Sequence, residues 1–168
     1  KPGTDKAASY YYLGMIEMQV DQPDLDAAQK DFQDGIAANP KYAYNYVGQG
    51  LVDLKRGDAK AAEAQFKLAE KMAGKDVSSV QVAIARAYYK VDPSLYAKDI
   101  TKRLEKAYKK NPQNPDYYLF LADQAADNRQ WGDANQNFEL AYGYEPKSSE
   151  AYVRYADILK VRNPQESI

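Results

Sequence analysis

The sequence predicts an all-α chain built of repeated helical hairpins, and three observations predict it. A spacing of small residue, aromatic four later and small residue three later recurs along the chain. Proline or a Gly-Asp pair falls where the segments so marked should end. The 168 residues are 45% hydrophobic, enough to fold and suited in length to four or five short repeats.

The C-terminal half carries the clearest unit: Tyr118, Leu121 and Ala122, then Ala134, Phe138, Ala141 and Pro146. Stepping back 72 positions gives Tyr46 and Gly50, then Ala62, Phe66, Ala69 and Gly74. A shorter step back, of 34 to 36 positions, gives Tyr10, Leu13 and Gly14, then Ala28, Phe32, Gly35 and Pro40. Small residues at Gly14, Gly50 and Ala122 let a first helix approach its neighbour closely, and Ala28, Ala62 and Ala134 do the same on the second. Phe32, Phe66 and Phe138 fill the space between hairpins. Pro40, Pro112 and Pro146 stop a second helix, because proline lacks the amide hydrogen and clashes with the preceding turn. Gly57-Asp58 supplies a helix stop followed by an N-cap.

Helix pairs are expected over 7–38, 43–73, 77–110 and 115–144, with a lone first helix over 148–161, as one array spanning 1–168. The third pair matches least. Ile84 stands where a small residue belongs and Leu104 replaces Phe, while Ala107 and Pro112 keep their places. A frame one residue later, using Ala85 and Tyr88, fits nearly as well. Odd-numbered pairs have the longer inter-helix loops, carrying Val20-Asp21-Gln22-Pro23 and Val91-Asp92-Pro93, and the fifth helix ends in Val161-Arg162-Asn163-Pro164. A two-hairpin module of about 72 residues, duplicated and then cut off, accounts for this alternation.

The pattern resembles the tetratricopeptide repeat, a helix-turn-helix of about 34 residues with an aromatic-x-x-Leu-Gly opening and an Ala-x-x-x-Phe…Pro ending. The resemblance implies a right-handed superhelix whose first helices line a concave face. Carried over by position, it implies a partner-binding groove. The first repeat would contribute Tyr11, Tyr12, Met15 and Met18, and the second Tyr44, Val47, Leu51 and Leu54. The third would contribute Val82, Ala85, Tyr88 and Tyr89, and the fourth Asp116, Leu119, Phe120, Asp123 and Asp127. The fifth would add Glu150, Val153, Arg154 and Asp157. Such a groove is aromatic and aliphatic at one end and acidic at the other, suiting an apolar peptide segment or helix with a basic flank. Packing of several of these residues against neighbouring helices is the alternative. The carboxylate clamp of chaperone-binding members is missing, since its positions read Tyr11, Met15, Gly48, Ser78 and Val82.

Composition narrows the function. The absence of His and Cys removes imidazole and thiolate catalysis, disulfides and Cys/His zinc sites. A net charge of -1 offers no global field for nucleic acid or an anionic membrane, and no run is long and apolar enough to span one. No enzyme activity, cofactor or metal is expected. The 16 Tyr against 4 Phe and 1 Trp suit half-buried contact surfaces, since Tyr joins a large apolar body to a polar tip.

Other signals read as structure. Arg56-Gly57-Asp58 spells an adhesion tripeptide but occupies a repeat turn. Gly48-x-Gly50 follows no strand, as a dinucleotide loop would. Asp21, Asp24 and Asp26 lack the glycine and distal Glu of a calcium loop, which points to N-capping by Asp24. Lys102, Arg103, Lys106, Lys109 and Lys110 read as a solvated basic stripe near a helix C-terminus.

The function expected is a scaffold binding a protein or peptide partner in the Tyr/Met-rich groove. The alternatives are a structural spacer in a larger multidomain or envelope protein, or a substrate-presenting accessory domain. Self-association through the 148–161 helix is expected if its apolar face is otherwise uncovered. Lys1 in place of Met suggests an excerpt of a longer protein without its targeting signal, in cytoplasm or periplasm.

Overall fold

The computed structural model describes residues 2–145. Among them are the α-helices α1 (Pro2–Glu17), α2 (Leu25–Ala38), α3 (Tyr44–Lys55), α4 (Ala59–Met72), α5 (Val77–Val91), α6 (Ala97–Lys110), α7 (Pro115–Asp127) and α8 (Trp131–Tyr144), with a single 3-10 turn at Gly74–Asp76. No strand occurs among the described residues, and the fold is an all-α helical repeat. The 148–161 helix, with Glu150, Val153, Arg154 and Asp157, lies outside the described residues.

Local chemistry sets where several helices begin. Asp24 accepts from the amides of Asp26 and Ala27 and caps α2, while Asp58 accepts from Ala61 and caps α4. Asn114 caps α7 ahead of Pro115, which needs no amide hydrogen in the first turn. Gly57 takes φ +83° between α3 and α4, a left-handed conformation that costs glycine nothing. Arg129 takes φ 58° in the corresponding turn between α7 and α8.

The chain divides into two compact units, the first ending at Lys106 and the second beginning at Ala107, so that the boundary falls within α6. In the first unit α1 pairs with α2 and α3 with α4, and α3 also packs against α1, α2 and α5. Two phenylalanines organise this core. Phe32 seats under α1 and α3, where a Cβ on Gly14 would come within 2.5 Å of its ring and one on Gly48 would also collide with it. Phe66 seats under Gly50 in the same way. Both rings are fully buried, and each contributes about 1.5–3 kcal/mol of burial free energy. Asn45 is buried as well, and its Nδ2 donates to the Ala7 carbonyl at 3.0 Å, tying α3 to α1.

In the second unit α7 packs on α8 around Tyr118, Leu119, Ala122, Phe138 and Ala141, with Tyr117 at the margin. The Tyr118 hydroxyl donates to the Pro112 carbonyl at 2.6 Å. Its ring lies 5.3 Å from that of Tyr144.

Arg103 corrects the sequence reading. It does not join a solvated basic stripe, because its side chain is only 2% exposed. The guanidinium lies 6.0 Å from the Phe66 ring centre and donates to both Glu63 oxygens at 3.0 and 2.9 Å. It also donates to Glu70 Oε1 at 2.6 Å and Gln81 Oε1 at 3.2 Å. Lys106, expected in the same stripe, donates to Glu70 at 2.9 Å. A buried cation needs partners that replace its water, and α4 and α5 supply them.

Candidate functional site

The groove positions divide by exposure. Tyr12 is exposed, and Tyr11, Met15, Tyr44, Tyr89 and Asp123 are half-buried. Met18, Val47, Leu51, Leu54, Tyr88 and Phe120 are buried, as are Val82, Ala85 and Leu119. Asp116 is half-buried and Asp127 exposed. The interior positions on α3 follow from its neighbours: with α1, α2, α4 and α5 all against it, little of Val47, Leu51 or Leu54 meets solvent. Asp116, Leu119, Phe120, Asp123 and Asp127 belong to the second unit, and the groove positions on α1, α3 and α5 to the first.

What the first unit does assemble is an aromatic cluster. Tyr11 stands 5.5 Å from Tyr12, 5.6 Å from Tyr44, 6.3 Å from Tyr42 and 6.2 Å from Phe32, measured between ring centres. Tyr42 and Tyr44 are 5.5 Å apart. Interplanar angles of 45° to 72° give the tilted and edge-on contacts that ring quadrupoles favour. Neighbouring rings lie in contact, so together they form an aromatic platform.

The platform has a buried side and an open side. Burial first, then Tyr42 and Tyr12, pushes the Tyr11 phenol well above its ordinary value, with the Arg86 charge acting weakly the other way. Burial, with Tyr12 and Asp76, pushes Tyr42 up to about 12. These hydroxyls therefore stay protonated across the physiological range and remain hydrogen-bond donors. Tyr12, 61% exposed, forms the open side.

Tyr42 and Arg86 were not among the expected groove residues. Tyr42 lies in the loop before α3, and the positional rule covers first-helix residues only; Arg86 acts through its charge from α5. The only sequence signal for Tyr42 is the pair it makes with Tyr44, two positions on.

Elsewhere, Tyr88 is buried against Phe66 at 5.1 Å and Tyr96 at 5.0 Å. Its hydroxyl donates to Glu63 at 3.0 Å, and burial followed by that carboxylate raises it above the ordinary phenol range. The Arg56-Gly57-Asp58 tripeptide is engaged structurally: Arg56 pairs with Asp26 and Gln29, Gly57 makes the turn and Asp58 caps α4. Among the described residues no group of three or more His, Cys, Asp or Glu could hold a metal ion. No helix among them is long and apolar enough to cross a membrane.

Helical hairpins packed through small residues against a recurring phenylalanine define the class of fold, an all-α helical repeat. No protein-family model matches the chain, and no curated protein matches it. Among solved structures it is similar to a chain in the crystal structure of the APC/C hetero-tetramer Cut9-Hcn1, at 18% identity and a TM-score of 0.49. That similarity covers 94% of this chain but 30% of the other, so the chain spans less than a third of that protein's length. It is also similar to pilF of Pseudomonas aeruginosa, at 13% identity and a TM-score of 0.41, covering 99% of this chain and 89% of that one.

Proposed function

We propose that this chain is a protein-interaction scaffold that binds an apolar peptide segment of a partner on the tyrosine platform of α1 and α3. The observation that carries the reading is the cluster of Tyr11, Tyr12, Tyr42 and Tyr44, packed ring to ring and open at Tyr12. Tyrosine gives large contact area at low entropy cost, and a rigid cluster loses little further freedom on binding. Protonated phenols can donate to the carbonyls of an extended chain while the rings cover apolar side chains.

The buried Leu51 and Val47 serve as support for the platform, so truncating them would report on stability before binding. Affinity capture from the source lysate should compare the wild type with a Tyr42→Ala, Tyr44→Ala variant shown to be folded by circular dichroism. A partner held by the wild type and lost by the variant supports the platform. Equal retention by both sinks it, and absence of any specific partner favours the spacer reading.

A further inference from the structure

Charge is unevenly shared among the second helices of the hairpins. Together α4 and α6 carry nine Lys and Arg against four Asp and Glu, whereas α2 and α8 carry one against five. The whole chain has 23 against 24, so the excess is local to these two helices.

Arg103 and Lys106 of α6 donate to Glu63 and Glu70 of α4 and set the two helices side by side. Glu63 and Glu70 thereby mark the side of α4 turned to α6. At 3.6 residues per turn, Lys60, Lys67 and Lys71 fall within about 40° of one another and about 40–100° round from that side. On α6, Lys102 and Lys98 continue about 40–80° beyond Lys106. The buried residues, Phe66 on α4 and Ile100 on α6 among them, lie round the other way. Two lines of exposed lysine therefore flank the α4/α6 seam on its solvent side. Glu63 and Glu70 are already engaged, and among the described residues Lys60, Lys67, Lys71, Lys98 and Lys102 pair with no carboxylate. Glu105 is the one exposed acid on either helix.

We propose that the α4/α6 seam docks an acidic helical segment of a protein partner, separate from the segment held on the tyrosine platform. Carboxylates one turn apart on such a helix repeat at about 6 Å, the same rise that separates Lys67 from Lys71 and Lys98 from Lys102. A helix laid along the seam can therefore answer both lines. Glu105 repels an acid set opposite it and so limits the registers. The chemistry of the face sets other polyanions aside. Nucleic acid is held through arginine forks and stacked aromatic rings; the lysine lines hold neither, and Arg103 is buried beneath them. Anionic lipid is held by lysines joined to large apolar side chains that enter the bilayer. The exposed Leu68 falls about 60° beyond Lys71, off the lysine line. Exposed charge pairs are individually weak and screened, so the affinity falls steeply with salt.

Fluorescence anisotropy on the full chain tests this with a labelled alanine-based helix bearing Glu at successive spacings of four, three and four, beside a copy with Gln for every Glu. The expected result is salt-sensitive binding of the Glu helix and none of the Gln helix. Lys67→Glu, Lys102→Glu should weaken binding about tenfold or more. Lys6→Glu, Lys41→Glu changes the net charge equally at exposed lysines outside α4 and α6, and should weaken it less than about threefold. Absence of binding by the Glu helix, or equal losses in the two variants, overturns the proposal. So does tighter binding of oligothymidylate or of phosphatidylserine vesicles, which would give the seam to another class of partner. Because Lys67→Glu adds charge beside Glu63 and Glu70, Lys67→Gln, Lys102→Gln repeats the test if the reversed variant melts early. A loss in the same direction is expected there, and an unchanged affinity would also overturn the docking.

Discussion

The α3/α4 hairpin and the α7/α8 hairpin lie 72 positions apart in sequence and share a backbone plan while differing in how they are tied down. Tyr46 donates to the Pro40 carbonyl at 2.9 Å, and Tyr118 donates to the Pro112 carbonyl at 2.6 Å. The Asn39 side chain accepts from the Lys41 amide at 3.0 Å, and Asn111 accepts from the Gln113 amide at 3.0 Å. Ala62, Phe66 and Ala69 are buried on α4, as Ala134, Phe138 and Ala141 are on α8. The carboxylates break the correspondence. Glu63 and Glu70 clasp Arg103 in the first unit, whereas the residues 72 later are Asn135 and Tyr142. Packing and turn chemistry repeat between the hairpins, and the buried ionic tie does not.

The largest expected effect comes from breaking that tie. Arg103→Ala strands Glu63 and Glu70 and uncovers Phe66. Because the two carboxylates are partly exposed, at 33% and 23%, the loss should be about 2–3 kcal/mol, below that of a fully buried pair. Urea unfolding measures it, and a loss under about 1 kcal/mol would show the clasp to be energetically idle.

Gly50 and Ala122 occupy matching positions, and swapping them separates the two hairpins next. A Cβ at Gly50 would run into the Phe66 ring, so Gly50→Ala should cost about 1–3 kcal/mol through overpacking. Ala122→Gly should cost about 1–2 kcal/mol, through helix propensity and the loss of one fully buried methyl and with no ring to displace. Equal losses in thermal melts would mean that the α3 contact is looser than it appears.

Acid should also single out the first unit. Burial by itself would raise the Glu70 carboxyl, but donation from Gln81 and Lys106 and the charge of Arg103 outweigh it and hold it below its ordinary value. A carboxylate held low in the folded state contributes stability above its unfolded pKa, and the contribution disappears as pH falls through the folded value. Stability measured downward from about pH 5 should therefore fall less steeply in Glu70→Gln than in the wild type. Parallel curves would remove Glu70 from the account.

The smallest effects lie in the turns. Arg129 holds a left-handed φ of 58° where Gly57 holds +83°. Arg129→Gly should gain about 0.5–1 kcal/mol and Gly57→Ala should lose about 1 kcal/mol. Chemical denaturation of the two variants side by side checks the opposite signs.

The fold class was legible because its signals are local or strictly spaced. Asp24 and Asp58 announce caps within a few residues of what they bind, and Gly14, Gly50, Phe32 and Phe66 announce close approach by size. Arg103 was not legible, because its charge and long stem look like surface until Glu70 and Glu63, 33 and 40 positions away, are brought to it. The platform was partly legible for a related reason. Tyr11, Tyr12 and Tyr44 follow from position on a first helix, but exposure is decided by which helices pack alongside, and that enclosed Val47, Leu51 and Leu54. Tyr42 joins the cluster through the fold of a loop and carries no periodic signature.

A photo-crosslinking residue placed at Tyr44, compared with one at the exposed Leu68 of α4, tests most directly whether the tyrosine platform meets the partner. After incubation with the captured partner, cross-links from position 44 and none from position 68 are the expected result. Cross-links from position 68 alone would contradict the platform and move binding to the second helices.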